Sequence, residues 1–336
     1  MSHIHRAAVH PTAIVLLLVL LSAILVLSSC TSAPGGANGG TNGGTNGVAD
    51  GTGAGGQTGS GAGAGDKPVI VAQFYPLAWF AEQIVGECAQ VVDLTPPGSE
   101  PHDLDPTPAD VKRLVDADVI LTQGAGFQPA VDEVIRSNHI PAERVVDVTA
   151  GMERLSDDPH LWLDPVRAKQ EADNMATALV RLLPSNCRST VESNRQRLGA
   201  ELDQLHQEYS QQLAPYRGKP FVTSHAAFTY LADRYGLRQV PILGVAPEAE
   251  PSPQTMQRIV EQAKAAGVRV VFFESLVNPR LSEAIARDIN ASTMVLNPIE
   301  GLTKEQARSG ADYLSLMREN LHNLFSSFEA MGGTTP

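Results

Sequence analysis

Three histidines stand in turn-forming sequence rather than in helical patterns. His102 lies in a Pro-rich stretch (SEPHDLDP), His160 lies in a second one (DDPHLWLDP), and His225 follows an apolar strand pattern (FVTSHAAF). Neutral imidazole is the commonest transition-metal ligand, and three imidazoles at one point suit Zn²⁺. The sequence has no short-range metal motif such as His-Glu-x-x-His, so only the fold could bring the three rings together. Because a single histidine of this kind is more often structural, spacing alone leaves both interpretations open.

Carboxylates close to these histidines could orient the rings, since a ligating imidazole usually donates its second N–H to a carboxylate or carbonyl oxygen. The candidates are Asp103, Asp105, Asp158 and Glu274. Glu274 ends a predicted strand and could instead cap the turn that follows. Asp164 precedes Pro165 and is predicted to cap a helix. The other histidines of the folded body lie in or beside helical patterns and are predicted to be surface or structural residues: His139, His206 and His322.

Short β-branched runs alternate with helical patterns from residue 67 onward. The predicted strands cover 69–74, 91–94, 119–122, 144–148, 220–223, 239–243, 268–273 and 294–296. Strands that alternate with helices predict open, largely parallel sheets covered on both faces by helices. Ligands in such folds bind outside the carboxyl ends of the strands, where the three histidines are expected.

One long helical pattern divides the alternation into two halves. It runs from Arg188 to Leu213 with an apolar stripe that includes Leu198, Leu205 and Tyr209. The predicted fold class is therefore α/β, with two lobes joined by one long rigid helix. The expected boundaries are 67–185 for the N-terminal lobe, 186–216 for the linking helix and 217–336 for the C-terminal lobe.

The N-terminal residues predict export. The apolar run 13–27 is too short for a comfortable membrane span and fits a secretory signal, predicted here as residues 1–29. It ends in Leu-Ser-Ser-Cys, which resembles the lipobox of bacterial lipoproteins and predicts lipidation of Cys30. A plain signal peptide or an uncleaved anchor is the alternative. The Gly-rich stretch within 30–66 predicts a flexible tether to the membrane.

Charge and cysteine content narrow the function classes. A net charge of −12 argues against a nucleic-acid partner. Beyond Cys30 the chain has only Cys88 and Cys187, which are too few for a Cys-ligated zinc site. In an extracytoplasmic protein these two can form a disulfide, and two separate buried thiols are the alternative.

The histidine motifs together resemble one family, the zinc/manganese-binding solute-binding proteins of ABC importers. The motifs PHDLDPTPADV, DPHLWLDP and VTSHAAF carry the resemblance, with support from FYP (74–76), AEPSP (249–253) and FES (273–275). The match runs in order through 67–328. It implies two α/β lobes joined by a long helix, with the metal bound between the lobes.

The resemblance also implies a fourth ligand, a carboxylate after the last strand. Many members have an Asp where this chain has Asn297, a poor zinc ligand. The sequence LNPIE resembles the zinc-binding, laminin-binding-type branch, which carries the ligand Glu three residues later. We therefore expect the ligands to be His102, His160, His225 and Glu300. Asn297 or water is the alternative at the fourth position, and Glu100, Asp158 and Glu274 are expected beside the ligands.

The function implied is capture of one Zn²⁺ per chain and its delivery to the permease of an ABC importer. The protein is expected to be a monomer, anchored through Cys30 at the extracytoplasmic face of the cell membrane. The manganese branch resembles this one with a carboxylate in place of the third histidine, so His225 favours zinc over manganese or iron. A metal-dependent adhesin is one competing class. A zinc hydrolase is the other; it would need an acid–base group such as Glu100, Glu248 or Glu274, and we expect no enzyme.

Overall fold

A computed structural model describes residues 67–124, 126–155, 157–246 and 251–332 of the chain. The predicted signal peptide (1–29), the lipidation site Cys30 and the tether (30–66) lie outside the described residues. Glu248 and the residues Ala249 and Glu250 of the AEPSP motif lie outside them as well.

The described residues form two four-stranded sheets, and every pair of neighbouring strands is parallel. The first sheet has the order β2-β1-β3-β4, from β1 (Val69–Ala72), β2 (Gln90–Asp93), β3 (Val119–Thr122) and β4 (Val145–Asp147). The second has the order β6-β5-β7-β8, from β5 (Pro220–Thr223), β6 (Arg238–Pro241), β7 (Val270–Phe273) and β8 (Ser292–Val295). The predicted α/β class with two parallel sheets is confirmed.

Helices connect the strands and join the two halves. In the first half they are α1 (Tyr75–Val85), α2 (Pro108–Asp116), α3 (Pro129–Ser137) and α4 (Pro165–Leu182). The linking helix is α5 (Arg188–Leu213), with the bounds that its sequence pattern predicts. The second half contains α6 (Thr229–Tyr235), α7 (Pro253–Ala265), α8 (Arg280–Ile289), α9 (Lys304–Ser309) and α10 (Tyr313–Ala330).

Local sequence signals fix several helix starts that position the site. Thr107 caps α2 in a reciprocal capping box with Asp110, and Pro108 occupies the first turn. Asp164 caps α4 by accepting from the backbone N–H of Val166. These caps end the loops that carry His102 and His160, so each loop has a defined exit. The Asp164 cap is as the sequence predicts.

Both halves pack around one continuous apolar core. The stripe of α5 is fully buried, and α1 of the first half contacts the start of α10 of the second. There the rings of Trp79 and Tyr313 stack with centroids 5.3 Å apart, and Phe80 meets Tyr313 edge-on at 4.9 Å. A shared core of this kind resists separation of the halves, because opening them would expose well-packed aromatic surface to water.

The structure differs from the sequence predictions at some element bounds. Several strands are shorter than predicted, and β8 begins earlier, at Ser292. Helix α9 was not predicted; it is a single short helix with a capping box between Thr303 and Gln306. Among the described residues, no helix has the length and apolarity that a membrane span requires.

Cys88 and Cys187 lie beside each other as two free thiols. Each ends a short 3₁₀ turn, the first directly after α1 and the second directly before α5. The interpretation as two unrelated thiols is therefore disfavoured, and the disulfide stays a prediction.

Candidate metal centre

The second half presents its two candidate ligands close to strand ends. His225 follows β5 by two residues, in a turn where the hydroxyl of Thr223 donates to the carbonyl of His225 (2.7 Å). Glu300 lies five residues after β8. Both are almost completely buried, with 0% and 1% of their surface exposed. The position of these ligands follows almost directly from the sheet.

The first half presents its two candidates on longer loops. His102 lies nine residues after β2, and His160 lies thirteen residues after β4. The ring of His102 meets Phe127 edge-on at 4.7 Å, while His160 is fully buried beside Trp162 at 5.1 Å. These two rings therefore depend on packing beyond the strand ends.

The four side chains converge on one point. Each offers one ligand atom, and all four atoms lie within 4.8 Å of one another. The Nε2 atoms of His160, His225 and His102 lie 3.0, 3.3 and 3.5 Å from Oε1 of Glu300. The Nε2 atoms of His160 and His225 are 3.3 Å apart. The sequence-predicted set is thus brought together by residues from four different loops.

Two carboxylates orient the two most deeply buried rings. Nδ1 of His160 lies 2.6 Å from Oδ1 of Asp158, and Nδ1 of His225 lies 2.7 Å from Oε1 of Glu274. An ionised carboxylate can only accept, so each Nδ1 carries the hydrogen and each Nε2 keeps its lone pair toward the centre. Asp158 and Glu274 therefore hold the tautomer that a metal ligand needs.

A strained turn presents Glu300. Ile299, directly before it, has φ +57°, a conformation that a β-branched residue rarely adopts. The side-chain oxygen of Asn297 accepts from the backbone N–H of Ile299 (2.8 Å), and Asn320 fixes both backbone polar groups of Asn297. Because its oxygen is occupied in this way, Asn297 shapes the turn, and Glu300 is the side chain that reaches the centre.

Electrostatics favour an ionised Glu300 among rings that bind protons readily. Burial alone would raise the pKa of Glu300, but hydrogen bonds from His102 and His160 and the charge of His225 hold it well below its usual value. Burial alone would lower the pKa values of His160 and His225. Asp158 and Glu300 outweigh burial at His160, and Glu274 and Glu300 outweigh it at His225, so both pKa values are raised. The ionised Glu300 and the carboxylates beside His160 and His225 make the centre suited to a cation.

Glu100 lies at the edge of the centre rather than inside it. One of its carboxylate oxygens accepts from the backbone N–H of His102 (3.3 Å), and its carboxyl group contacts that of Glu300. Burial and the neighbouring Glu300 raise the pKa of Glu100 to about 9, so it is protonated at neutral pH. Asp103 and Asp105 are exposed, and no hydrogen bond joins either of them to the His102 ring among the described residues.

Several residues that support the centre were not predicted from the sequence. The hydroxyl of Tyr230 in α6 donates to the carbonyl of Asp158 (2.7 Å), and the indole N–H of Trp162 donates to the carbonyl of Pro298 (2.8 Å). Arg234 in α6 holds the capping residue Asp164 through two nitrogens, the closest contact being 2.7 Å. Their contacts bind the His160 loop to the second half. No local sequence signal links residues so far apart in the chain.

Comparisons with known proteins agree with this fold and centre. Residues 70–326 match the family described as the periplasmic zinc-uptake complex component A. The chain belongs to this family. It is 34% identical over 282 residues to the high-affinity zinc uptake system protein ZnuA of Bacillus subtilis, covering 78% of this chain and 88% of that protein. The expected family is confirmed, and since its members are uptake components, so is the expectation that the chain is not an enzyme.

Solved structures of similar proteins share the architecture. The Zn(II)-bound ZnuA-like domain of Streptococcus pneumoniae AdcA superposes with a TM-score of 0.69 at 32% identity, covering 78% of this chain and 98% of that domain. The laminin-binding protein Lmb of Streptococcus agalactiae, described as having adhesin and metal transporting activity, superposes with a TM-score of 0.69 at 29% identity, covering 78% and 99%. The two-lobe arrangement is therefore common to this chain and its relatives.

Proposed function

We propose that this chain is the solute-binding component of an ABC importer, and that it captures one Zn²⁺ with His102, His160, His225 and Glu300. The spacing of the four ligand atoms is the observation that supports this most strongly. Ligands about 2.0–2.1 Å from a tetrahedral Zn²⁺ are about 3.3–3.4 Å from one another. Four of the six separations, 3.0, 3.3, 3.3 and 3.5 Å, bracket that value, and the remaining two are no more than 4.8 Å.

The donor set favours zinc over manganese. Three imidazoles and one carboxylate are typical of tetrahedral zinc, whereas Mn²⁺ prefers more oxygen ligands. All four ligands come from protein side chains, so no coordination position remains for a catalytic water. The protein is accordingly a carrier of the ion, which is its cargo.

The rest of the chain fits delivery at a membrane surface. We propose that residues 1–29 direct export, that Cys30 is lipidated, and that 30–66 tether the folded body near the permease. The lobes are assigned to 67–185 and 217–336, with the linking helix within 186–216, and the protein acts as a monomer. The short apolar run followed by Cys30 and the Gly-rich stretch support this part of the proposal.

Metal binding by the stripped protein tests the proposal. The full chain, freed of metal by a chelator, should bind one Zn²⁺ and prefer it to Mn²⁺ in competition with a chromophoric chelator. Single changes of His102, His160, His225 or Glu300 to Ala should each weaken zinc binding, because each removes one bond to the ion. His322→Ala is the matched control, since His322 is exposed on α10.

Either of two results would refute the assignment. One is wild-type zinc affinity in two or more of the four alanine variants. The other is an equal loss in the His322→Ala control, which would show that loss of zinc binding is not specific to the four assigned ligands.

A further inference from the structure

The end of the first sheet opposite the metal centre carries the cysteine pair. Cys88 lies two residues before β2, and Lys67 and Pro68 precede β1. These residues line one cavity of about 460 Å³ together with Cys187. The ligand His102 lies beyond the opposite, carboxyl end of β2. Four residues of strand, about 13 Å, therefore separate the cysteine end of the sheet from the metal end.

The fold places the side chains of Cys88 and Cys187 in contact. The side chain of Asn194 in α5 donates to the carbonyl of Ile84 near the end of α1 (3.1 Å), two residues before the turn that carries Cys88. Cys187 is buried directly before α5, while Cys88 is only half-buried and packs against the same core. Burial, followed by contact with Cys88, raises the pKa of the Cys187 thiol to about 11. Neither cysteine contacts the metal ligands.

We propose that Cys88 and Cys187 form a structural disulfide in the exported protein. The bond closes a ring that contains β2 through α4, and with them His102 and His160. The half-buried Cys88, reached through the cavity, attacks a disulfide oxidant as its thiolate and forms a mixed disulfide. Cys187 then attacks the Cys88 sulfur, and the oxidant leaves as two thiols, having taken two electrons from the pair. The inference rests on the proposed export, because disulfides persist in oxidising compartments.

The disulfide is expected to stabilise the fold without changing metal binding. Closing a ring of this size lowers the entropy of the unfolded chain, and a typical disulfide of this kind raises the melting temperature by roughly 5–15 °C. Since the bond lies at the opposite end of the sheet, zinc affinity should change by no more than about twofold between the oxidised and reduced forms. A redox switch of zinc affinity is thereby excluded by the proposal.

Thiol labelling of the full chain tests the bond. The protein is isolated from the membrane of cells that export it, denatured, and alkylated before or after reduction. We expect label on Cys88 and Cys187 only after reduction, and a cross-linked peptide pair in the unreduced digest. Label on both residues without reduction, or a disulfide-linked dimer, would overturn the proposal.

Two further measurements separate this proposal from the proposed function. Purified protein equilibrated with oxidised and reduced glutathione reports on the pair even if export fails; two free thiols in oxidising buffer would then refute the disulfide. Cys88→Ser/Cys187→Ser should melt at the temperature of the reduced wild type and show no response to reductant. A melting temperature of that double variant equal to oxidised wild type would also refute it, whereas zinc titration tests the metal centre independently.

Discussion

The two lobes have the same strand order but deliver their ligands from different places. In the second lobe, His225 follows the inner strand β5 and Glu300 follows the edge strand β8. Both lie within five residues of the sheet. The first lobe uses its two edge strands, and its ligands His102 and His160 lie nine and thirteen residues beyond them. Equal topology therefore does not mean equal anchoring of the ligands.

The difference shows how a long loop can be made as well defined as a short turn. The His160 loop is held by the second lobe, through Tyr230, Arg234 and the Trp162–Pro298 hydrogen bond. The His102 loop is held from both sides: Gln128 of its own lobe donates to the carbonyl of Pro101 (3.0 Å), and the backbone N–H of Gly98 donates to the carbonyl of Leu302 in the second lobe (2.8 Å). His160 is consequently a first-lobe ligand whose position depends on the second lobe.

Removing the anionic ligand of the second lobe should have the largest effect. If a zinc-binding free energy of about 10–16 kcal/mol is shared by four ligands, Glu300→Ala costs roughly 3 kcal/mol, on the order of 10²-fold in affinity. Competition titration measures this loss. Asn297→Ala should cost less, because Asn297 only shapes the turn; an abolished site in Asn297→Ala with intact binding in Glu300→Ala would contradict the assignment.

Neutralising the carboxylates behind the rings should have the next largest effect, and it should be similar in the two lobes. Asp158→Asn and Glu274→Gln each replace the anionic acceptor that fixes one imidazole with a neutral and weaker amide acceptor, so we expect a loss of about 10–100-fold in zinc affinity. Glu100→Gln is the control. It replaces a protonated carboxyl with an amide and should bind zinc nearly as the wild type does. A loss in Glu100→Gln that matched the other two would make Glu100 a ligand.

Loosening the His160 loop from the second lobe should have a smaller effect. Tyr230→Phe removes two hydrogen bonds, the one donated to the carbonyl of Asp158 and the one accepted from the backbone N–H of Leu155. Each is typically worth about 0.5–1.5 kcal/mol, so zinc affinity should fall by up to roughly tenfold through displacement of His160. Tyr216→Phe is a matched control, because the Tyr216 hydroxyl bonds to Glu329 away from the centre. If both variants bound zinc equally well, the His160 loop would not depend on the second lobe for its position.

Lowering the pH should raise the stability of the metal-free protein and lower its zinc affinity. Burial raises the pKa of Glu171 to about 8, and the pKa values of His160 and His225 are raised by their carboxylate partners. The folded protein then binds more protons than the unfolded chain, so its stability falls as pH rises toward these raised values. We expect the melting temperature of metal-free protein to drop by a few degrees, roughly 2–4 °C per kcal/mol, from pH 6 to pH 8.

Zinc binding has the opposite pH dependence, because the ion requires neutral imidazoles and displaces their protons. Zinc affinity should therefore rise over the same pH range. Scanning calorimetry with chelator and with saturating zinc separates the two effects, and a metal-free melting temperature that rises with pH would contradict the proposed charge states.

Much of the fold could be predicted from sequence because its signals are local. The capping box of α2, the buried strand patterns and the apolar stripe of α5 each lie within the element that they specify. The boundaries of β6 and β8 were less accurate, and α9 was not found, because its six residues carry too little periodicity.

The centre divides in the same way. The three histidines and Glu300 could be named from motifs, and their convergence follows from parallel strands that end at one edge. Residues such as Tyr230, Arg234 and Asn320 could not be named, since each acts through a contact between segments 23 or more residues apart. The positive φ of Ile299 was equally unpredictable, because only the surrounding hydrogen bonds stabilise it.

X-ray absorption at the zinc edge tests the central claim most directly. In the full chain loaded with one equivalent of zinc, we expect four light-atom neighbours at about 2.0–2.1 Å, with the multiple-scattering pattern of three imidazoles. Glu300→Ala should keep the three imidazoles and change only the oxygen shell. A spectrum with fewer than three imidazoles, or with six oxygen neighbours, would contradict coordination of one ion by His102, His160, His225 and Glu300.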